Sequence, residues 1–129
     1  MYLIDTNICI ALIQGNSSTK ARFQEVSSQC YISTIVLGEL NKGVYCSQKV
    51  EQNLQKLQDF LTLIAVIDFD SKAGVEFGKI QGELRRMGRP TGEIDALIGA
   101  VVRSRGDILV THNIRDFENI PNLQLEDWL

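Results

Sequence analysis

The chain opens with the segment Tyr2-Leu3-Ile4-Asp5-Thr6-Asn7, in which a short apolar run stops at three polar residues that favour the starts of helices. Ile8 and Leu12 then recur at helical spacing. The segment therefore predicts a buried strand that passes directly into a helix. This strand-to-helix unit is the building block of parallel sheets, whose strands are joined by helical crossovers.

The same alternation of strand and helix continues to the end of the chain. Strands are predicted at 2–4, 31–32, 63–67, 107–111 and 123–125, and helices near 8–12, 18–28, 34–44, 49–61, 71–86 and 94–102. The strand segments are mostly apolar throughout, which is typical of parallel strands covered on both faces. We expect an α/β fold, a three-layer α/β/α sandwich with a central, mainly parallel sheet, as one domain over residues 1–129.

Composition excludes several classes of function. The 13 basic and 16 acidic residues give a net charge of −3, which argues against a protein that coats nucleic acid non-specifically, so any such contact needs a local patch. A candidate patch is the concentration of arginines late in the chain, although a solvated helix end would give the same pattern. The arginines concerned are Arg85, Arg86, Arg89, Arg103, Arg105 and Arg115.

Cysteine usage and hydropathy point to a cytoplasmic protein. The three cysteines, Cys9, Cys30 and Cys46, are widely spaced and lack C-x-x-C pairing, so neither a disulfide framework nor a zinc site is indicated. They fit core thiols in a reducing cytoplasm. No segment approaches the length of about 20 apolar residues that a membrane span needs.

Four acidic residues lie where this fold would bring them to one edge of the sheet. Asp5 ends the first strand and Asp116 follows the fourth, while Glu39 and Asp95 lie in early turns of two helices. Ligand sites of open parallel sheets form beyond the carboxyl ends of the strands. Crowded carboxylates raise one another's pKa unless a cation intervenes, so we expect all four to contribute to a site for a divalent metal ion.

The predicted ligands favour Mg²⁺, with Mn²⁺ as the alternative, because all of them are oxygens. An ion held by few protein ligands keeps several waters, one of which can attack a phosphodiester in line, leaving a 5′-phosphate and a 3′-hydroxyl. Thr6, Asn7, Thr111 and Asn113 would orient the carboxylates or the waters.

Each acid has a simpler interpretation when it is taken alone. Asp5 would be only a helix cap, Glu39 a solvated helix residue, Asp95 a favourable charge at a helix start and Asp116 part of an ordinary loop. His112, the only histidine, would act on a phosphate or, more simply, make local hydrogen bonds at a strand end. It is the combination of four acids that indicates a site.

The motifs that carry these acids resemble, in order and spacing, those of the PIN-domain ribonucleases, and specifically the VapC toxins of bacterial toxin–antitoxin pairs. The matching segments are Leu3-Ile4-Asp5-Thr6-Asn7, Ser33-Thr34-Ile35-Val36-Leu37-Gly38-Glu39-Leu40, Gly92-Glu93-Ile94-Asp95-Ala96-Leu97-Ile98, Leu109-Val110-Thr111-His112-Asn113-Ile114-Arg115-Asp116-Phe117 and Leu125-Glu126-Asp127-Trp128. The chain departs from the family at Glu93-Ile94-Asp95, where members often carry Asn-Asp, and at His112, where they carry a second Asn.

The resemblance implies a metal-dependent endoribonuclease that acts as a toxin. It implies that Asp5 and Asp95 bind the metal, that Glu39 completes the site and that Asp116 is the fourth acid. It further implies an RNA substrate such as tRNA or rRNA, a homodimer, and an antitoxin that wraps the toxin and blocks the site. Exposed apolar side chains on the helices after Ser33 and Ser71 are the expected dimer surface.

Two rival functions fit the same residues less well. An aspartate-nucleophile phosphatase would use Asp5 but wants a second aspartate two residues later, where this chain has Asn7. A non-catalytic regulatory module would use the acidic pocket only to dock a basic peptide. Loss of Glu39 would leave such a module intact in a growth assay, whereas it would abolish the toxicity of a nuclease.

Overall fold

The structure is a computed structural model that describes residues 1–129. Its strands are β1 (Tyr2–Ile4), β2 (Cys30–Ser33), β3 (Ala65–Ile67), β4 (Ile108–Val110) and β5 (Gln124–Glu126). Its helices are α1 (Thr6–Ile13), α2 (Ser17–Val26), α3 (Thr34–Tyr45), α4 (Val50–Leu61), α5 (Ser71–Met87), α6 (Glu93–Arg105) and α7 (Ile114–Phe117), with a 3₁₀ turn at Ser27–Gln29.

All five strands are parallel and are arranged in the order β3-β2-β1-β4-β5. In the central strand, Leu3 is paired with Tyr31 on one side and Leu109 on the other. The chain builds β1 to β3 outward in one direction and then returns to place β4 and β5 on the other side of β1. The gap between the carboxyl ends of β1 and β4 is therefore the topological switch point, where open α/β sheets place their ligand sites.

Helices cover the sheet and complete the predicted three-layer α/β/α arrangement. Helices α1 to α4 form one group, and α5 lies along α6 in a second group, which meets the first where α6 contacts α3. The core is a single cluster of 27 buried residues drawn from every strand except the two at the sheet edges, and from helices of both groups. Arg103 of α6 holds the second pair together by binding Glu76 and Glu83 of α5, at 2.7 Å each.

The predicted elements agree with the structure except at one strand. The apolar run at 63–67 predicts a strand throughout, but β3 begins only at Ala65, and Leu63 is 63% exposed. The reason is its position, because β3 is an edge strand with only part of one face covered. None of the helices combines the length and the apolar character that crossing a bilayer requires.

Candidate active site

Asp5 is held at the switch point by the strand that precedes it and the helix that follows it. Its N–H donates to the Val110 carbonyl at 2.9 Å, which extends the pairing of β1 with β4 by one residue. Its Oδ1 accepts the Thr6 N–H at 2.8 Å, so Asp5 is also the N-cap of α1. The cap interpretation of Asp5 is thus correct, but it uses only one of the two carboxylate oxygens.

The second oxygen of Asp5 is bound from across the switch point. Thr111, directly after β4, donates its hydroxyl to Asp5 Oδ2 at 2.7 Å, and Asn7 Nδ2 lies 3.5 Å from the same oxygen. Asp5 is only 5% exposed. Burial raises the pKa of Asp5, the hydrogen bonds from Thr111 and Thr6 lower it, and the charges of Glu39 and Asp116 raise it further, with a net shift upward.

Glu39 reaches the site from the second turn of α3. Its Oε1 accepts the Thr6 hydroxyl at 2.7 Å, and Thr6 is the residue next to Asp5. The helix that carries it is capped by the buried Ser33, whose hydroxyl accepts the Val36 N–H at 3.3 Å. Helices α1 and α3 are therefore tied together at the level of the two carboxylates.

Asp95 lies in the first turn of α6 and is half-buried. Its carboxylate makes no hydrogen bond or ion pair, and Oδ2 lies over Gly92, 3.4 Å from the place that a Cβ on that residue would take. Burial, which is the largest cause, and the charges of Asp116, Asp5 and Glu39 together raise the pKa of Asp95 to about 6. The negative charges of all three other acids therefore act on this carboxylate.

Asp116 lies in the short helix α7 and is exposed. Its backbone is fixed by two contacts, since its N–H donates to the Asn113 carbonyl at 3.0 Å and its carbonyl accepts the Thr91 hydroxyl. The Thr91 contact joins α7 to the loop that leads into α6. Because Asp95 lies in the first turn of α6, this contact brings Asp116 close to Asp95, although the two residues are distant along the chain.

The four predicted acids thus share one electrostatic neighbourhood, and no basic side chain forms an ion pair with any of them. They do not form a closed cage, because no three of the chain's Asp, Glu, His or Cys side chains are arranged to surround an ion. Mg²⁺ is commonly held by one or two carboxylates, with waters and substrate phosphates as its other ligands. An uncompensated cluster of oxygen ligands around the buried Asp5 fits such an ion.

The predicted supporting residues differ in what they contact. The side chains of Thr6, Asn7 and Thr111 bind the carboxylates directly. Asn113 does not, because it offers only its N–H to the Thr111 hydroxyl at 3.0 Å, and its side chain makes no hydrogen bond.

The sequence does not predict two contacts at this edge, that of His112 with Asp127 and that of Thr91 with the Asp116 backbone. His112 donates its N–H to Asn7 Oδ1 at 3.1 Å, and its Nδ1 lies 3.0 Å from Asp127 Oδ2. The histidine thus makes the local hydrogen bonds expected of a strand end, but its partner was not identified. Asp127 lies beside His112 because Val110 is paired with Glu126 in the parallel sheet, a register that the sequence alone does not give. The contact of Thr91 with the Asp116 backbone has no signal in the sequence either, since it joins two loops.

An apolar groove adjoins the acidic cluster at Glu39. It has a volume of about 350 Å³ and lies among α1, α3 and α4. Its walls include Ile10, Ile13, Val44 and Leu57, and Ile10 is 43% exposed. An exposed apolar groove of this kind is a common site for docking an apolar segment of a partner.

Comparison with known proteins gives the family of the chain. The PIN domain family model matches residues 2–123. The "tRNA(fMet)-specific endonuclease VapC" of Shigella flexneri is 41% identical over 128 residues, 98% of this chain and 97% of that protein. "Ribonuclease VapC2" of Rickettsia felis is 39% identical over 131 residues, 99% of this chain and 98% of that protein.

Solved structures agree with these relatives. A VapBC2 complex from Rickettsia felis, bound to a DNA fragment from their promoter, superposes with a TM-score of 0.94 at 38% identity, covering 99% of this chain and 98% of that chain. A DNA-bound VapBC complex from Salmonella typhimurium gives a TM-score of 0.95 at 38% identity, with the same coverage. The chain therefore belongs to the PIN-domain family and, within it, to the VapC ribonucleases.

Proposed function

We propose that the protein is a Mg²⁺-dependent endoribonuclease that acts as the toxin of a toxin–antitoxin pair, with Mn²⁺ as an alternative ion. The observation that carries the proposal is the gathering of Asp5, Glu39, Asp95 and Asp116 at the sheet switch point without any paired cation. The relatives named as ribonucleases supply the substrate class. Two related proteins, one from Shigella flexneri and one from Salmonella typhimurium, are named as specific for tRNA(fMet), so tRNA is the substrate that we propose first, ahead of rRNA.

Asp5 and Asp95 would hold the ion, with Glu39 and Asp116 completing the acidic site. When bound, the ion supplies Lewis-acid activation of a water molecule and neutralises charge on the phosphate. Thr111 and Thr6 fix both oxygens of Asp5, so this carboxylate cannot rotate when substrate binds. Thr6 also restrains Glu39 by donating its hydroxyl to Oε1. Glu39 would then orient the attacking water or accept a proton from it.

The direct test is cleavage of tRNA by the purified protein with Mg²⁺, with Mn²⁺ and with a chelator. We expect cleavage only with a metal, 5′-phosphate and 3′-hydroxyl ends, and a loss of at least about 100-fold in Asp5→Asn and Asp95→Asn. Ser104→Ala, a change at the far end of α6, serves as the control for handling and folding. Full activity in both aspartate variants would reject the assigned roles.

The antitoxin proposal rests on the apolar groove beside Glu39. A segment bound among α1, α3 and α4 would lie at the rim of the acidic cluster and would obstruct substrate without displacing any acid. The two solved relatives described as VapBC complexes support a protein partner. We also propose a homodimer, for which the exposed apolar side chains of α3 and α5 include Tyr45 and Val75, 62% and 61% exposed.

A non-catalytic regulatory module remains the alternative of a different class. It predicts that Glu39→Gln leaves the growth phenotype of the expressed protein unchanged, whereas a nuclease toxin loses its toxicity. The phosphatase alternative has lost its support, because the position that would carry its acid is Asn7, and that side chain already binds Asp5 and His112.

A further inference from the structure

The basic side chains late in the chain do not form one patch. Arg103 is paired with Glu76 and Glu83, and Arg105 is paired with Asp107. Four arginines form no ion pair and are exposed, namely Arg85, Arg86, Arg89 and Arg115. Among the late arginines, any role in binding an anion therefore falls to these four, and three of them lie at the end of α5 or in the loop after it.

The end of α5 forms one wall of a cleft that lies beside the acidic site. The cleft has a volume of about 580 Å³, and its other wall is the loop 88–92 with the start of α6. That opposite wall includes Thr91, whose hydroxyl binds the Asp116 carbonyl, and Glu93, two residues before Asp95. A strand bound in the cleft would therefore lie beside the loop that joins Asp116 to the start of α6.

The α5 wall presents three different chemical groups in a row. Phe77, Gln81 and Arg85 are spaced four residues apart, so they lie on the same face of the helix, and all three line the cleft. The half-buried ring offers a surface for stacking, the amide offers a donor and an acceptor, and the guanidinium offers a charge for a phosphate. The one carboxylate of the cleft, Glu93, suits ribose hydroxyls or base amino groups as an acceptor.

We propose that this cleft binds a nucleotide of single-stranded RNA next to the cleaved bond, with its base stacked on Phe77 and its phosphate bound by Arg85. This inference rests on the proposed ribonuclease activity and deepens it. The volume suits one or two nucleotides of a flexible strand, within the usual range of roughly 300 to 1,000 Å³ for ligand pockets. We favour RNA over an apolar partner segment because Arg85, which lines the cleft and forms no ion pair, offers a positive charge that a phosphate would bind and an apolar segment would not.

Arg86 provides a matched control within the same helix turn. Its guanidinium folds back over Gly82, 3.4 Å from the place that a Cβ on that glycine would take, and it does not line the cleft. Arg85→Gln and Arg86→Gln remove the same charge from adjacent exposed positions. A difference between the two variants therefore reports the local contact and not the overall field of the protein.

The test combines binding and kinetics in the full-length protein. Binding is measured by fluorescence anisotropy with a fluorescein-labelled single-stranded RNA oligonucleotide, in an Asp5→Asn background that leaves the strand uncut. We expect Phe77→Leu to weaken binding at least about fivefold and Phe77→Tyr to restore it. Arg85→Gln should reduce the slope of log affinity against log salt by about 0.7, the value for one phosphate contact on a single strand.

In the Asp5-intact protein, the same changes should raise KM for RNA and leave kcat near its original value. Phe77 and Arg85 variants that bind and cleave like Arg86→Gln would overturn the proposed subsite while the nuclease function stands. If the wild-type protein neither binds nor cleaves RNA, both the subsite and the nuclease function are rejected. Light scattering on each variant gives the remaining outcome, since a change in molecular mass would assign the cleft to a contact with a second copy and reject the RNA subsite.

Thermal unfolding of each variant separates loss of binding from loss of folding. Arg85 is exposed, so its replacement is expected to leave the melting temperature unchanged and to carry the test even if Phe77→Leu unfolds.

Discussion

At the residue scale, the site depends on the contrast between Asp5 and Asp95. Asp5 is almost fully buried, and hydrogen bonds from Thr6, Thr111 and Asn7 satisfy both of its oxygens. Asp95 has comparable electrostatic neighbours, but its carboxylate makes no hydrogen bond. A half-buried carboxylate without hydrogen-bond donors destabilises the folded protein. Such a destabilising group is retained where it binds a cation in function.

Replacing Asp95 by asparagine should stabilise the metal-free protein. The change removes a charge that burial and three neighbouring acids disfavour, so we expect the free energy of unfolding at pH 7 to rise by roughly 1 kcal/mol, after allowing for solvent screening. Urea unfolding in the presence of a chelator is the measurement. Glu93→Gln is the matched control, because Glu93 lies in the same helix turn but is not among the charges that raise the pKa of Asp95.

Added Mg²⁺ should invert this order of stability. The ion stabilises the form that binds it, so wild-type protein should gain stability with rising Mg²⁺ concentration and Asp95→Asn should gain little. An Asp95→Asn protein that is less stable than Glu93→Gln without metal would show that the carboxylate is a structural group.

At the element scale, the positions of helices and strands follow from local chemistry. Asp5, Asn16, Ser33 and Asp70 cap the four helices that they precede, and each accepts a backbone N–H with its side chain. Gly88 and Gly106 end α5 and α6 with φ of 64° and 68°, a left-handed conformation that glycine adopts without strain. The start of β3 was mispredicted because apolar residues alone do not show which strand lies at the edge of a sheet.

The amino ends of the strands are joined by a cluster around Asp107, which directly precedes β4. Its carboxylate accepts the Tyr31 hydroxyl at 2.7 Å and pairs with Arg105 at 2.9 Å and the N-terminal amino group of Met1 at 3.4 Å. Burial would raise the pKa of Asp107, but the hydrogen bonds from Tyr31 and Arg105 and the N-terminal charge outweigh it and lower the pKa below its usual value of 3.8.

Asp107→Asn should therefore destabilise the protein in a pH-dependent way. A carboxyl group with a lowered folded pKa stabilises the fold above its unfolded pKa, and this contribution is lost as the pH falls through the folded pKa. We expect a loss of about 1 to 2 kcal/mol at pH 7 and a gap between the proteins that narrows at pH values below 3.8. Urea unfolding across this pH range measures it, with Asp59→Asn on the exposed face of α4 as the control.

The Asp107 variant should keep its RNA cleavage, because the cluster lies at the opposite end of β4 from Thr111. If the difference in unfolding free energy between Asp107→Asn and the unchanged protein stays the same at low pH, the charge of Asp107 is not what stabilises the fold.

At the scale of the whole molecule, the strand order brings distant segments to one place. The sequence predicts that Asp5 and Asp116 follow strands, but only the order β3-β2-β1-β4-β5 puts β4 beside β1 and lets Thr111 bind Asp5. The motif order identified the acids, and their mutual approach depends on contacts such as Thr91 with Asp116, which local patterns do not contain. The arginines show the same limit, because pairing by Glu76, Glu83 and Asp107 divides them into structural and free groups.

The groove beside Glu39 is a whole-molecule feature, and its proposed use is regulation by an antitoxin. Ile10→Asp places a charge in the apolar wall of the groove. The protein encoded in the adjacent reading frame should then inhibit RNA cleavage about tenfold less strongly, or weaker still. Inhibition titrations of the purified nuclease measure this. Leu63→Asp, which is also exposed but lies outside the groove, is the control. Unchanged inhibition of Ile10→Asp would place the partner on another surface.

The central claim is that the acids at the switch point form a site for a hard divalent cation. Anomalous diffraction from a crystal of the protein soaked in Mn²⁺ tests this claim most directly, because the signal locates the ion without reference to activity. We predict a peak between Asp5 and Asp95 that disappears in Asp95→Asn. A crystal with Mn²⁺ bound elsewhere and no peak at these two carboxylates would contradict it.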